Sequence, residues 1–481
     1  MSPEEIRRIA EAIAQQISGQ GPPVSLSSTP RAAPAPAAAL GDGVFADLDS
    51  AVRAARAAFF ELSAVGLEKR FTMIEAVRQA LRPQAEPLAK LAQEETGLGR
   101  WEDKVQKNLL VTEKTPGPEE LTPGAQSGDH GLVLIEPAPF GVIGAITPVT
   151  NPSSTIICNA IGMVSAGNTV VFNAHPSAKR VSMETIRLIN RAILSVGGPA
   201  NVLTCVAEPT IETATELMKH RLVRLLVVTG GPGVVKAAMN SGKRSICAGP
   251  GNPPAVVDAT ANIEQAGRDI VLGHSFDNNV ICVDEKECIV VESVAENLKA
   301  SMKRAGAVEL KPSDLPRLEK VIFEKNAGPR GHAVVNRKFV GKNAELILRE
   351  LGLPGGREAR CVLVDVPNDH PLIWTEQMMP VLPLTRVKTV EEAIDLAVEA
   401  EGGNFHTATM HSHDLVALST MARKCNCSIF VKNGRAVAGL GHEGEGYTSF
   451  TIASPTGEGL TSPRSFSRWR RCTLKDQFRI V

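Results

Sequence analysis

The sequence predicts an α/β protein built around a doubly wound parallel sheet, and three observations support that fold class. Apolar, β-branched runs such as VRLLVVT at residues 223–229 are typical of buried strands. Such runs alternate with helix-like segments from about residue 141 to residue 240, and a second α/β unit follows from about residue 255 to residue 430. This alternation favours parallel strands with helices on both faces. The length of 481 residues fits two or three domains.

Composition disfavours several functional classes. The formal net charge is zero and aromatic residues make up only 4% of the chain, so a nucleic-acid-binding surface is not expected. Nine cysteines, an odd number in a long chain, disfavour a disulfide framework and fit a reducing compartment. No run of about 20 apolar residues is present, and the N-terminus lacks the pattern of a secretory signal. We therefore expect a cytoplasmic protein that binds neither nucleic acid nor membrane.

The N-terminal residues predict a short amphipathic helix on a flexible tether. Ser2 and Glu5 form a capping box around Pro3, and isoleucines recur at helical spacing through residues 1–18. Residues 19–43 are rich in Pro, Ala, Ser and Gly and are typical of a linker. Two interpretations remain open, a helix that frays or packs on the fold and a docking peptide that buries its isoleucines on a partner. The second is favoured, since an enzyme that needs only its fold has no use for the tether.

The remaining elements follow in chain order. Residues 45–110 are rich in Ala, Arg, Glu and Leu and predict helices. Strands begin after residue 131, and no internal repeat is seen. Strands are predicted at residues 141–147, 168–172, 201–207 and 223–229, and helices at residues 154–165, 178–194, 211–220 and 233–240.

The segment TGGPGV at residues 229–234 follows a predicted strand and opens a predicted helix. Glycines at such a turn let a dinucleotide phosphate approach the free amides of the helix N-terminus. The G-x-G-x-x-G fingerprint is incomplete, because Lys236 stands in place of the third glycine. Taken alone, the segment is equally well explained as a tight strand–helix turn.

Two further segments carry candidate catalytic side chains. SFDNNVIC at residues 275–282 places Cys282 after a polar turn, where a thiolate could attack a carbonyl carbon. For a lone cysteine, the favoured alternative is a buried apolar thiol. ITPVTNP at residues 146–152 holds Asn151 between prolines at a strand end. Its amide could stabilise an oxyanion, worth ~3 kcal/mol in comparable sites, or could simply form a turn.

Taken in order, these motifs resemble the aldehyde dehydrogenase superfamily from about residue 45 to the C-terminus. TPVTNP matches the segment with the family's oxyanion asparagine, and DNNVIC matches the segment with its nucleophile. Three more segments match cofactor contacts: GNTVVFNAHPSA at residues 167–178, TGGPGVV at residues 229–235 and TEQMMPVLPL at residues 375–384. Five motifs in register make a catalytic Cys282 the favoured interpretation.

The resemblance implies an NAD-dependent enzyme without a metal. Cys282 is then the nucleophile, and the Asn151 amide and the Cys282 backbone N–H hold the oxyanion. The implied cofactor contacts are Thr147, Pro148, Asn173, His175, Thr229, Gly230, Gly231, Val234, Gly249 and Glu376.

Two departures from the family pattern are informative. Hydrolytic members carry a glutamate in an E-L-G-G-K-S-P segment, where this chain has AGPGNPP with Ala248 in the glutamate's place. Without that carboxylate no base is evident for water, whereas a thiol acceptor needs less help. The chain therefore resembles the CoA-acylating branch. Asn173 replaces a lysine that many hydrolytic members use on the adenosine ribose, which leaves NAD over NADP open.

Within that branch the chain is similar to the acylating aldehyde dehydrogenases of bacterial microcompartments, which process propanediol or ethanolamine. Those enzymes carry an N-terminal amphipathic peptide and linker that direct them inside the protein shell. The resemblance implies oxidation of a short-chain aldehyde to acyl-CoA, with propionaldehyde expected first and acetaldehyde next. It also implies a shell protein as partner of residues 1–18, a location within a microcompartment in the cytoplasm, and a homodimer or homotetramer.

The implied organisation has five parts. They are a targeting helix (residues 1–18), a linker (residues 19–43), an NAD-binding domain (residues 44–254) with oligomerisation strands (residues 122–138), an α/β catalytic domain (residues 255–430), and a C-terminal segment (residues 431–481) that returns to the NAD-binding domain and the subunit interface.

Other reactive residue types are expected to be structural. The cysteines in apolar runs are expected in the core: Cys158, Cys205, Cys247, Cys288 and Cys361. The histidines of HTATMHSH at residues 406–413 are expected to pack at a strand edge, with contact to substrate or CoA phosphate as the alternative. The basic run at residues 464–471 is expected to be a solvated face or a subunit contact. Two competing functions remain, a hydrolytic aldehyde dehydrogenase and a shell-binding adaptor without catalysis.

Overall fold

The first described strand begins inside the segment that we predicted to be linker. The structure is a computed structural model that describes residues 39–481, so the predicted helix at residues 1–18 and most of the predicted linker lie outside the described residues. Strand β1 (Ala39–Gly41) pairs antiparallel with β2 (Val44–Phe45). The linker end predicted at Gly43 is therefore wrong. Asp42 turns the chain between the two strands, with a φ of 50°. The Ala–Gly-rich sequence of β1 does not predict a strand, because this strand is defined by its pairing with β2 and not by its residue types.

The first large sheet has seven strands, and all but β1 run parallel to their neighbours. Its order is β1-β2-β7-β6-β5-β8-β9. The strands not yet given are β5 (Val142–Ile146), β6 (Thr169–Asn173), β7 (Leu203–Val206), β8 (Val223–Thr229) and β9 (Ser245–Ala248). Because the apolar runs predicted as strands are buried on both faces, they read as continuous hydrophobic stretches.

The second large sheet also has seven strands, all parallel to their neighbours. Its strands are β10 (Pro254–Val257), β11 (Glu287–Val291), β12 (Ala307–Glu309), β15 (Cys361–Asp365), β16 (Val381–Val387), β17 (Thr407–His411) and β18 (Ile429–Lys432), in the order β12-β15-β16-β11-β10-β17-β18. The chain passes from the first sheet to the second between Ala248 and Pro254. The predicted α/β fold class, a doubly wound parallel sheet followed by a second α/β unit, is confirmed.

A smaller antiparallel sheet stands apart from both large sheets. It pairs β4 (Gly131–Pro139) with β3 (Gly124–Gly128) on one side and with β21 (Ser467–Lys475) on the other. Most of its side chains reach solvent. Two short hairpins, β13–β14 (Phe323–Lys325 and Val334–Val335) and β19–β20 (Ile452–Ala453 and Gly459–Leu460), complete the strands of the described residues.

Helices cover the faces of the large sheets. They are α1 (Leu48–Ser63), α2 (Leu67–Leu81), α3 (Ala85–Thr96), α4 (Trp101–Lys114), α5 (Pro152–Ser165), α6 (Lys179–Ser195), α7 (Ile211–Lys219), α8 (Pro232–Met239), α9 (Ile263–His274), α10 (Glu292–Arg304), α11 (Leu315–Ile322), α12 (Ala344–Glu350), α13 (Pro371–Trp374), α14 (Val390–Ala400) and α15 (Leu415–Cys425). None of these helices is long and apolar enough to span a membrane.

Helix α5 has the most consequence for the site, because every one of its residues is buried. It starts directly after β5, with Pro152 at its first position, and packs against α4 and α6. The loop between β5 and α5 is thereby held rigidly at the carboxyl edge of the first sheet. Ligand sites in such sheets form at this edge.

Candidate active site

A cavity of about 290 Å³ opens at the carboxyl ends of β5, β8 and β9. The loop that carries Cys282 and the segment that carries Glu376 close its other side. Nine of the predicted site residues line this cavity: Pro148, Asn151, His175, Thr229, Gly230, Gly231, Gly249, Cys282 and Glu376. Motifs that are up to 228 positions apart in the chain are thus brought to one place.

Three predicted cofactor contacts do not reach the cavity. Asn173 ends β6 and accepts a 2.6 Å hydrogen bond from the Thr213 hydroxyl, so its amide supports the start of α7. The Val234 side chain packs beneath Gly230, where a Cβ on that glycine would lie 2.7 Å from it. Thr147 is buried, and its hydroxyl has no partner within the described residues. The assignment of these three residues to the cofactor concerns the bound dinucleotide and not this cavity, and it stays a prediction.

The turn from β8 into α8 fits an anionic group. Gly231 is the N-cap of α8, and the amides of the first helical turn have no partner within the helix. A Cβ added to Gly231 would meet no atom within 4 Å, so space lies open beside these amides. The free amides and the helix dipole suit a phosphate, as the pyrophosphate of NAD requires.

The loop before Cys282 has three consecutive residues in left-handed conformation. Asp277, Asn278 and Asn279 have φ values of 48°, 56° and 65°. Asp and Asn tolerate this region because their short polar side chains bond locally. The Asn278 amide donates to the Gly341 carbonyl at 3.0 Å, and the Asn279 amide donates to the Glu285 carbonyl at 3.0 Å. The polar turn predicted from the sequence is therefore held in place by side-chain hydrogen bonds just before the candidate nucleophile, Cys282.

The surroundings of the Cys282 thiol favour its protonated form at neutral pH. Burial, and after it the nearby Glu376 carboxylate, raises the pKa of the thiol to about 12 although the Lys286 ammonium lowers it. Lys286 is buried beside the loop, where its ammonium donates to the Ile281 carbonyl at 2.9 Å. A nucleophilic Cys282 therefore requires a change in its surroundings on ligand binding, or proton removal in the step itself.

His406 is a site residue that sequence reasoning assigned to strand-edge packing. A Cβ added to Gly251 would lie 2.9 Å from both the Cys282 carbonyl oxygen and the His406 ring, so the two flank this glycine. Burial and the Lys286 charge lower the pKa of His406 to about 3, which keeps the imidazole neutral. Its Nδ1 bonds the Thr407 hydroxyl at 2.9 Å, while its Nε2 has no partner within the described residues. The only feature of the sequence that could have indicated this contact is the glycine-rich turn after β9, which lets another side chain approach the main chain closely.

Among the described residues that line the cavity, Glu376 is the sole carboxylate. Burial raises its pKa, and the nearby Lys286 ammonium opposes that effect. Ala248, which replaces the hydrolytic glutamate of the family, is the buried last residue of β9. The cavity therefore holds one carboxylate where a hydrolytic site of this family needs a second.

Asn151 is positioned by its main chain and its side chain together. It is the N-cap residue of α5, yet its side chain does not cap the helix. The amide oxygen instead accepts a 2.6 Å hydrogen bond from the Lys107 ammonium, and the amide nitrogen donates to the Thr150 hydroxyl at 3.1 Å. One amide hydrogen thus remains for a ligand in the cavity.

Comparison with known proteins places this geometry in a family. A model of the aldehyde dehydrogenase family matches residues 30–448. The chain is 51% identical to the acetaldehyde dehydrogenase (acetylating) EutE of Salmonella typhimurium over 440 residues, which cover 91% of this chain and 94% of that protein.

Two solved structures are also similar. One is a Rhodopseudomonas palustris propionaldehyde dehydrogenase with bound CoA and an acylated cysteine, at 48% identity and a TM-score of 0.88, covering 91% of this chain and 99% of that chain. The other is a propionaldehyde dehydrogenase from the Clostridium phytofermentans fucose utilisation bacterial microcompartment, at 44% identity and a TM-score of 0.88, covering 91% of this chain and 100% of that chain.

Proposed function

The chain belongs to the aldehyde dehydrogenase family, and from that premise we propose that it oxidises a short-chain aldehyde with NAD and transfers the acyl group from Cys282 to coenzyme A. The main observation that supports this proposal is that Glu376 is the single carboxylate among the described residues of the cavity wall. Ala248 leaves the family's water-activating position without a base. The similar proteins are acylating enzymes, one of them with bound CoA and an acylated cysteine.

The first chemical step forms a bond between Cys282 and the carbonyl carbon of the aldehyde. The Cys282 thiolate attacks, and the oxygen of the resulting hemithioacetal becomes negative. The free hydrogen of the Asn151 amide and the Cys282 backbone N–H are assigned to this oxygen. Because Asn151 is 7% exposed, a hydrogen bond from its amide acts in surroundings of lower dielectric than bulk water and is stronger than it would be in solution.

Oxidation leaves the acyl group on Cys282 as a thioester. NAD, when bound with its pyrophosphate at the Gly230–Gly231 turn, supplies the hydride acceptor. The thiol of CoA then attacks the thioester carbon, the C–S bond to Cys282 breaks, and acyl-CoA leaves. The neutral imidazole of His406, with its free Nε2, is the candidate acceptor for the proton of the CoA thiol.

The substrate is assigned to the class of two- and three-carbon aldehydes, with propionaldehyde first. The cavity is small and its wall is largely apolar, including Val149, Ile281, Leu440, Phe450 and Ile452. Two carbons and three carbons differ by one methylene, worth only ~1–3 kcal/mol in a pocket. We therefore expect both aldehydes to react, with kcat/KM values that differ by no more than about 200-fold.

NADH formation with propionaldehyde, measured with and without CoA, tests the proposal. We expect turnover that depends on CoA and disappears in Cys282→Ala. The matched control is Cys288→Ala, because Cys288 is buried on β11 away from the cavity and should keep its turnover. Equal rates without CoA would mean that water accepts the acyl group, and the argument from Ala248 would be overturned.

We also assign the enzyme to a bacterial microcompartment and to a homodimer or homotetramer. One similar structure comes from such a compartment. Residues 1–18 are the assigned shell-binding segment, and the exposed strands β3, β4 and β21 are the assigned pairing surface. Deleting residues 1–18 should leave turnover intact and abolish co-purification with shells. A full chain that co-purifies with shells but shows no turnover with any short-chain aldehyde would favour an adaptor whose working part is the peptide.

A further inference from the structure

We propose that Lys107 is a positioning residue, which fixes the orientation of the Asn151 amide and polarises it toward the oxyanion. The inference rests on the proposed role of Asn151 in the cavity. It names a residue on α4, a helix that contributes no side chain to the cavity wall. Three observations carry it: the hydrogen bond between the two side chains, the burial of that bond, and a second link from Lys107 to the nucleophile loop.

The hydrogen bond dictates which way the amide faces. The Lys107 ammonium donates to the Asn151 amide oxygen at 2.6 Å, and an ammonium has no acceptor to offer in return. A flipped amide would set its NH2 group against the ammonium, donor against donor. The bonded orientation is the one that leaves an amide hydrogen for the cavity. Since the donor is charged, it also draws electron density toward the amide oxygen and makes the N–H a stronger donor.

Burial makes this preference strong. The side chain of Lys107 is only 2% exposed, so water cannot replace either partner. A buried ammonium that faced a donor would lose a charge-assisted hydrogen bond, worth about 1.5–3 kcal/mol. A cost of that size corresponds to at least a tenfold preference for the bonded orientation.

Asp277 joins the same ammonium to the nucleophile loop. Its Oδ2 accepts from both Lys107 and Lys104, and its Oδ1 accepts from the Arg100 backbone N–H at 2.6 Å. Asp277 stands five positions before Cys282, in the run of left-handed residues. Lys107 therefore bonds both the loop with the oxyanion donor and the loop with the nucleophile, but Lys104 and the Arg100 backbone N–H also hold Asp277. Asp277 offsets the charge that would otherwise be buried alone.

Lys104 offers a matched control on the same helix. It is as buried as Lys107 and bonds Asp277 at 2.8 Å, but its second bond goes to the Thr150 carbonyl and not to Asn151. Lys104→Met removes a buried lysine and leaves Lys107 paired with Asp277. If both lysines have only a structural role, Lys104→Met and Lys107→Met should slow the acylation of Cys282 to a similar extent. If Lys107 positions the Asn151 amide, Lys107→Met should slow acylation more than Lys104→Met.

The test measures acylation of Cys282 by p-nitrophenyl propionate, followed by the burst of nitrophenolate. The thiolate attacks the ester carbonyl, the aryl oxygen leaves, and the same oxyanion forms without NAD or CoA. The assay therefore reports on Lys107 even if the proposed acyl transfer to CoA is wrong. Turnover with propionaldehyde, NAD and CoA is measured beside it, so that failure of the proposed function is seen separately.

We expect Lys107→Met to slow the burst by about 10- to 100-fold, less than the about 10²–10³-fold loss of an entire oxyanion donor. Lys104→Met should slow it less than threefold. In an Asn151→Ala background, Lys107→Met should cause no further loss, because its effect passes through the amide. Lys107→Gln, which keeps a donor, should recover part of the rate, and it also serves if the methionine variant does not fold. Equal losses in the two methionine variants, or a full further loss in the Asn151→Ala background, would overturn the proposal.

Discussion

The raised pKa of Cys282 predicts an unusually unreactive thiol in the ligand-free enzyme. With a pKa of about 12, set mainly by burial and then by Glu376, roughly one molecule in 10⁴ carries the thiolate at pH 8. An ordinary cysteine with a pKa of about 8.5 is roughly one-quarter thiolate at that pH. We therefore expect iodoacetamide to alkylate Cys282 about 10³-fold more slowly than an unperturbed thiol, with a rate that rises tenfold per pH unit and reaches no plateau below pH 11.

Peptide mass spectrometry resolves the alkylation of each cysteine, and Cys472, which is exposed in the single chain on the proposed pairing strand β21, serves as a control because its surroundings are the same in the wild type and the variant. Glu376→Gln removes a negative neighbour of the thiolate, so the pKa of Cys282 should fall and its labelling at pH 8 should rise by up to about tenfold. Labelling of Cys472 should not change in this variant. A plateau for Cys282 below pH 9, or an unchanged rate in Glu376→Gln, would refute the electrostatic account.

Two further predictions concern the supports of the site. Gly251→Ala places a Cβ 2.9 Å from the Cys282 carbonyl oxygen and from the His406 ring, so kcat should fall at least tenfold. Gly434→Ala is the control, because the nearest atom to its added Cβ is 3.6 Å away. Both kcat and Tm should remain unchanged in the control. Burial lowers the pKa of Lys104 to about 8, below its unfolded value of about 10.4, so the unfolded chain binds the extra proton and stability should rise between pH 8 and pH 10.4. The free energy of unfolding should increase by up to about 3 kcal/mol over this range, which would appear as higher urea midpoints, and the increase should be absent in Lys104→Met. An increase that persists in that variant would contradict the assignment to Lys104.

Local patterns were enough to predict the parallel sheets, because a buried parallel strand leaves a continuous apolar run in the sequence. The strand predicted at residues 223–229 coincides with β8. Strand β1 was missed, since its identity comes from a partner and not from its Ala–Gly-rich composition. Asn173 was assigned to the cofactor from the family resemblance, and the fold adds a contact that the sequence does not show, in which its amide oxygen accepts a hydrogen bond from Thr213 on α7.

Residues that act through tertiary contacts left no local signal. Lys107 precedes Asn151 by 44 positions, and on α4 it is one charged residue among several, so nothing in the helical pattern marks it as buried. His406 is one of three histidines within eight residues, and only the approach of Gly251 shows that it, and not His411 or His413, lies near the main chain of Cys282. Sequence motifs predicted the candidate reacting groups, while the groups that hold them required the fold.

The properties of His406 help to decide which acceptor the thioester can use. A neutral imidazole with a pKa of about 3 is a weak base, so the acidity of the incoming group determines whether its proton can move. A thiol has a pKa of about 8.5 and bulk water has a pKa of about 15.7, which favours proton loss from the thiol by about seven powers of ten. Hydrolytic members of the family overcome this difference with a carboxylate at the position of Ala248. Because Glu376 is the sole carboxylate of the described cavity wall, the thioester is protected from water while CoA can still react.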